Sequence, residues 1–171
     1  MTSHNADSPE LYVLAVHPTS RGFGWVVFNG PTSPVDWGAT SARGKRSGRI
    51  MQKFEEIADR WQPDILVLEK VDERDGKSAR LRKVARAMAD LASFKGMDVA
   101  QYGRNDIRAV FASEGAVFRH EIAASVAKRL GELSARLPGK RPCGGAEQHQ
   151  QGLFDAAALA LTYFANKGES L

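Results

Sequence analysis

The feature that most constrains this chain is the run Asp64-Ile-Leu-Val-Leu-Glu69. Its four central residues are all apolar, and Ile65 and Val67 are β-branched. A strand with one face in water alternates apolar and polar residues. A continuous apolar run bounded by carboxylates instead reads as a strand covered on both faces, in the middle of a sheet with parallel neighbours. Pro63 closes the segment before it. The charged stretch Lys70 to Lys77, with Gly76, reads as a loop after it.

The rest of the chain supplies the neighbours. Leu11 to Val16 is a short apolar run and Phe23 to Phe28 is rich in aromatic and β-branched residues, ended by the turn signal Asn29-Gly30. These read as two antiparallel strands joined by Pro18-Thr19-Ser20-Arg21-Gly22, with a third short strand at Val35 to Thr40. Phe23, Trp25 and Phe28 read as core residues rather than base-stacking platforms. Ile50, Phe54, Ile57, Ala58 and Trp61 recur at three- and four-residue spacing, which predicts an amphipathic helix. Leu81, Val84, Ala85, Met88, Leu91 and Ala92 predict a second one over Ala79 to Phe94, stopped at Gly96. Met97 to Tyr102 is a fifth strand. Asp106 to Ala112 and Val117 to Leu133 read as helices, Leu137 to Gln151 as a loop, and Gly152 to Asn166 as a final helix, apolar on most sides. The order is a three-strand meander followed by two strand–helix–strand units. It predicts an α/β fold, with a mixed five-stranded sheet flanked by helices.

Bulk properties narrow the function. A chain of 171 residues suits one domain, expected over residues 11–166 after a disordered tail at residues 1–10. No apolar run approaches the roughly 20 residues of a membrane span. Met1 to Glu10 lacks the basic and apolar regions of a signal peptide, so a cytoplasmic location is expected. Cys143 is the only cysteine, which excludes an internal disulfide and a multi-cysteine zinc site. It sits in the loop-like Pro142-Cys143-Gly144-Gly145 and is not read as a nucleophile. Net charge is +4 and the pI about 9.4, a mild bias that suits a polyanionic partner. Arg43, Lys45, Arg46 and Arg49 form one basic cluster, and Lys77, Arg80, Arg82, Lys83 and Arg86 another. Each has two readings, a solvated face or a surface for nucleic-acid phosphates.

Two carboxylates are placed for chemistry. Glu69 ends the central strand, where functional groups of open α/β sheets gather; equally, it marks where the strand meets water. Asp155 stands near the start of an otherwise apolar helix. The helix dipole favours an acid there, but an acid turned toward the sheet needs a cation or partner. Together the two could hold a divalent ion through oxygen ligands.

Three segments carry a resemblance. Leu14-Ala-Val-His-Pro-Thr-Ser-Arg-Gly-Phe-Gly-Trp resembles the opening strand and turn of RuvC-type Holliday junction resolvases, members of the RNase H-like superfamily. Ile65-Leu-Val-Leu-Glu69 resembles their second acidic strand, and Phe154-Asp155-Ala-Ala-Ala-Leu-Ala-Leu their final acidic helix. The resemblance spans about Leu11 to Phe164. It implies an RNase H-like fold and a homodimeric, metal-dependent endonuclease acting on branched DNA. Carboxylates would bind two magnesium or manganese ions that serve an attacking water and a leaving oxygen. Glu69 and Asp155 would be metal ligands.

The chain departs from that pattern twice. The family's first acid falls at His17, and imidazole is a poorer ligand for magnesium and a better one for manganese. The family's further acid or histidine, one turn before Asp155, is Gly152 here. Glu147 and His149 are the nearest substitutes, and the charge lost at His17 is expected to weaken at least one metal site, with Glu69 and Asp155 left to hold a single ion. Arg21 and the basic stretch from Lys77 to Arg86 would contact DNA phosphates. His17 also favours a second reading, a catalytically inactive RNase H-like protein that binds nucleic acid.

Overall fold

The computed structural model describes residues 11–41, 47–71, 78–139 and 150–168. The meander consists of β1 (Tyr12–Pro18), β2 (Gly22–Asn29) and β3 (Pro34–Ser41). After α1 (Ser47–Trp61), the apolar run forms β4 (Ile65–Glu69). Then come α2 (Ala79–Phe94), β5 (Asp98–Tyr102), α3 (Arg104–Phe111), α4 (Arg119–Arg129) and α5 (Gln151–Asn166). The five strands lie in the order β3-β2-β1-β4-β5, antiparallel in the meander and parallel from β1 to β5. This is the α/β mixed five-stranded sheet flanked by helices that the apolar patterning predicts.

The sheet divides the core in two. Residues along a strand alternate faces, so β1 sends Val13 and Ala15 one way and Leu14 and Val16 the other. β4 does the same with Ile65 and Val67 against Leu66 and Leu68. All five residues of β4 are buried, as a doubly covered strand requires. The face of Leu14 and Leu66 packs against Phe54 and Ile57 of α1 and Val84 and Met88 of α2. The face of Val13 and Val67 packs against α5, with α3 and α4 outside it. Helix α5 is therefore apolar nearly all round, and Leu153, Phe154, Ala157 and Leu161 are buried. Phe23, Trp25 and Phe28 are core residues.

Several boundaries differ from the sequence reading, and three of them bear on the site. Val117 to Leu133 is not one helix. Phe118 is extended and caps α4, and Leu130 leaves helical geometry at φ −117°, ψ 81°. Gly131, a poor helix former, then opens a 3-10 segment to Arg136 that turns Leu133 into the core. Helix α3 starts at Arg104 rather than Asp106. The Asp106 carboxylate accepts the Gly103 backbone N–H at 2.7 Å, so it caps the first turn instead of preceding it. Strand β1 continues past Val16 to Pro18, because proline is tolerated at a strand end. That extension puts His17 inside the sheet.

Candidate functional site

Strand register brings the first two candidates together. Val16 pairs with Leu68 in the parallel β1–β4 ladder, so His17 and Glu69 are the next residues on adjacent strands. Both share the parity of Ala15 and Val67, so both face α5. From that helix Asp155 faces back. The His17 Nδ1 atom lies 3.1 Å from Glu69 Oε2, and its Nε2 atom lies 3.5 Å from Asp155 Oδ2. The imidazole thus stands between the two carboxylates. All three side chains are nearly buried, with 13 %, 8 % and 15 % of their surfaces exposed. At this depth an acid without a compensating partner is costly.

Asp155 has further partners. The Arg119 guanidinium, from the first position of α4, donates from Nε to both carboxylate oxygens at 3.0 Å and from Nη2 to Oδ2. Such charge-assisted, forked bonds are among the stronger polar contacts. Gln151, one turn earlier on α5, donates from Nε2 to Oδ1 at 3.2 Å.

These groups line a cleft of about 350 Å³. Its inner wall is the strand-end turn Pro18-Thr19-Ser20 with His17, Glu69 and Asp155. Its outer wall includes Arg104, Arg108, Val117 and Arg119 from α3 and the start of α4. Arg104 and Arg108 are one helical turn apart, hence on one face, and both are exposed.

The Gly152 position has a steric cause. Helix α5 begins pressed against β2. A Cβ at Gly24 would meet the Gly152 carbonyl carbon at 1.9 Å, and one at Gly152 would meet Thr19 Cγ2 at 3.0 Å and the Gly24 nitrogen at 3.2 Å. A carboxylate therefore does not fit at position 152 without moving the helix. The two-ion arrangement that the resemblance implies does not fit these residues as they stand. One carboxylate is clamped by Arg119, the position of the family's first acid carries an imidazole, and the position of its further ligand is a glycine. Among the described residues, no cluster of three or more His, Cys, Asp or Glu side chains is disposed to hold a metal ion.

The remaining candidates separate. Arg80, Lys83 and Arg86 are exposed on α2 and Arg82 is half-buried; Leu81 of the same turn lines the cleft. Arg21 is exposed in the β1–β2 turn, while the cleft wall uses its neighbours. Glu147, His149, Arg43, Lys45, Arg46 and Lys77 lie outside the described residues, as does Cys143. Sequence reasoning missed Arg104, Arg108 and Arg119. The spacing of Arg104 and Arg108 was a signal, but only the packing of α3 and α4 beside α5 turns it toward Asp155. Among the described residues no helix is long and apolar enough to cross a membrane.

The fold is that of RuvC-type resolvases. Thermus thermophilus RuvC matches with a TM-score of 0.65 at 22% identity, over 92% of this chain and 97% of that one. The same protein in complex with a Holliday junction substrate matches equally well. The fowlpox virus Holliday junction resolvase matches with a TM-score of 0.54 at 10% identity, over 91% of this chain and 99% of that one. No family model and no curated protein sequence matches the chain.

Proposed function

We propose that this chain is a RuvC-type endonuclease-fold protein that acts on branched DNA, with DNA recognition retained and magnesium-dependent strand cutting strongly reduced. One observation carries the reading: the His17 imidazole stands between Glu69 and Asp155, the two carboxylates to which the sequence resemblance gives the role of metal ligands. The matched proteins are resolvases, and one was captured on a Holliday junction substrate. Net charge of +4 and the exposed arginines at the cleft fit a polyanion. In this proposal Glu69 and Asp155 are what remains of a hydrolytic centre. Arg104, Arg108 and the α2 cluster of Arg80, Lys83 and Arg86 hold the phosphate backbone. Symmetric action at a junction needs two copies of the site, so the acting form is a homodimer.

A second reading, a DNA-binding protein with no cutting activity, is favoured by Arg119. Its fork on Asp155 supplies from the protein a positive charge that a hydrolytic ion would otherwise bring. The test is a paired binding and cutting assay on four-way junction, flap and linear DNA, with EDTA, magnesium or manganese. The leading reading expects junction binding in all three conditions, weak or absent cutting with magnesium, and partial recovery with manganese. Binding with no cutting in either metal moves the assignment to the second reading. Failure to bind branched DNA at low salt rejects both.

A further inference from the structure

Position 119 is a poor place for an arginine on local grounds. It is the first residue of α4, where the helix dipole disfavours a cation and favours an acid. The chain supplies that acid at Glu121, whose carboxylate accepts the backbone N–H groups of Val117 and Phe118 at 2.9 Å and closes the turn before the helix. Arg119 therefore gains nothing from its own helix. Its compensation lies 36 residues away in the chain, on Asp155. The guanidinium donates from Nε to both carboxylate oxygens at 3.0 Å and from Nη2 to Oδ2. Gln151 holds the same carboxylate from Nε2 at 3.2 Å, and His17 Nε2 lies 3.5 Å from it. The Arg119 side chain keeps 45 % of its surface exposed and the Asp155 side chain 15 %. The acid is thus fixed in the floor of the cleft, and the cation reaches it from the rim. An acid at this depth, across the imidazole from a second acid, needs a positive charge. Arg104 and Arg108 line the same cleft, yet the fork on Asp155 belongs to Arg119.

We propose that Arg119 is the resident cation of this site. It fills on Asp155 the place that a divalent ion takes in a hydrolytic centre built from carboxylates. Divalent ions then compete with the guanidinium for Asp155 rather than enter an open site. The inference rests on the reading of Glu69 and Asp155 as what remains of such a centre, and it adds a second obstacle to His17. The two obstacles differ in kind. His17 withholds a negative charge, whereas Arg119 occupies the oxygen atoms themselves. Removing the guanidinium should turn a charge-satisfied floor into one that takes an ion through oxygen ligands.

The experiment uses protein and metal alone. Mn2+ binding is measured from the electron paramagnetic resonance of the free ion, and urea unfolding is followed in EDTA and in Mn2+. The proteins are the unaltered chain, Arg119→Met, Arg119→Lys, Arg108→Ala, Asp155→Asn and the combination of Arg119→Met with Asp155→Asn. Arg119→Met keeps an apolar stem and removes the charge. It should bind Mn2+ about ten-fold or more tightly than the unaltered chain, the scale of one close charge pair. Its unfolding midpoint should rise with Mn2+, as for any ligand that binds the native state, while that of the unaltered chain stays put. Arg119→Lys should fall between the two, because an ammonium keeps the charge without the fork. Arg108→Ala removes the same charge from the same cleft and should leave Mn2+ affinity nearly unchanged. In EDTA, Arg119→Met should raise the unfolding equilibrium constant about ten-fold in the parent background and far less in the Asp155→Asn background. Equal Mn2+ affinity in the unaltered chain and Arg119→Met overturns the proposal. So does an equal gain from Arg108→Ala, which would make the effect one of overall cleft charge. If Arg119→Met folds in neither condition, Arg119→Lys decides the matter: tighter Mn2+ binding than the unaltered chain upholds the resident cation, and equal binding rejects it. Failure here leaves junction binding as proposed, and failure of junction binding is read in its own assay without altering the Mn2+ comparison.

Discussion

The inner and outer walls of the cleft are held in different ways. Glu69 and Asp155 stand on backbone that the core holds firmly. Glu69 ends a strand buried along its whole length, and Asp155 belongs to a helix whose neighbours are buried from Gln151 to Phe164. Arg104 and Arg108 stand on α3, which has Phe111 as its one fully buried residue. The carboxylate wall therefore has one geometry, with a steep penalty for change. The arginine wall can tolerate substitution and can follow a ligand. This division suits the proposed function, in which a flexible polyanion is held against fixed carboxylates.

The largest expected effect lies behind the inner wall, where β2 meets α5, and has nothing to do with charge. Gly24→Ala puts a methyl group into the backbone of Gly152. Helix α5 must then shift, and the loss of stability should reach the upper end of the overpacking range, about 3 kcal/mol or more. Urea unfolding measures it. Gly152→Asp, which returns an acid to the position that the resemblance marks, should cost about 1–3 kcal/mol for the same reason. If either variant is as stable as the parent, the close approach of β2 and α5 is looser than described.

On the outer wall the effects change in kind. Arg104→Ala and Arg108→Ala should each alter stability by less than about 0.5 kcal/mol. Each should flatten the dependence of log affinity on log salt by about 0.9 on duplex DNA, the two adding because each neutralises its own phosphate. A stability loss comparable with that of Gly24→Ala, or an unchanged slope, would erase the contrast between the walls.

The smallest effect concerns the turn before α4, which presents Arg119. The two backbone N–H donors of Phe118 and Val117 hold the Glu121 carboxyl below its ordinary value of 4.5. A depressed carboxylate pKa means that the folded turn favours the ionised form. Its contribution is present above the ordinary value and is lost as pH falls through the depressed one. The amide proton shifts of Val117 and Phe118 should therefore titrate together with a midpoint below 4.5. Glu121→Gln should abolish that titration. A midpoint at or above 4.5 would mean that the carboxylate does not hold the turn.

Much of the inner wall was legible in the sequence. Ile65 to Glu69 announces a doubly covered strand because period-two alternation is missing, and a carboxylate after such a run has few places to go. Asp155 stands out because its helix is otherwise apolar. Register then does the rest: one residue beyond Val16 and one beyond Leu68 must be neighbours on the same face. What the sequence could not disclose depends on packing between elements far apart in the chain. Arg119 lies 36 residues from Asp155, and no local pattern pairs them. It was folded into a helix that the apolar spacing carried two residues too far toward the N-terminus, which also concealed the extended Phe118. Gly152 reads as a missing ligand in sequence. The contact with Gly24 that makes a side chain unwelcome there exists only after β2 and α5 have packed.

The account turns on position 17. The most direct measurement is the rate of four-way junction cutting in magnesium by the chain as it stands and by His17→Asp, at matched DNA occupancy. Replacing the imidazole by a carboxylate removes the group that separates Glu69 from Asp155 and returns an acid to a cooperating set, where single members change rates by orders of magnitude. The predicted result is similar junction affinity for both proteins, with far faster cutting by His17→Asp. Equal and efficient cutting by both would contradict the account, because His17 would then be no obstacle to hydrolysis.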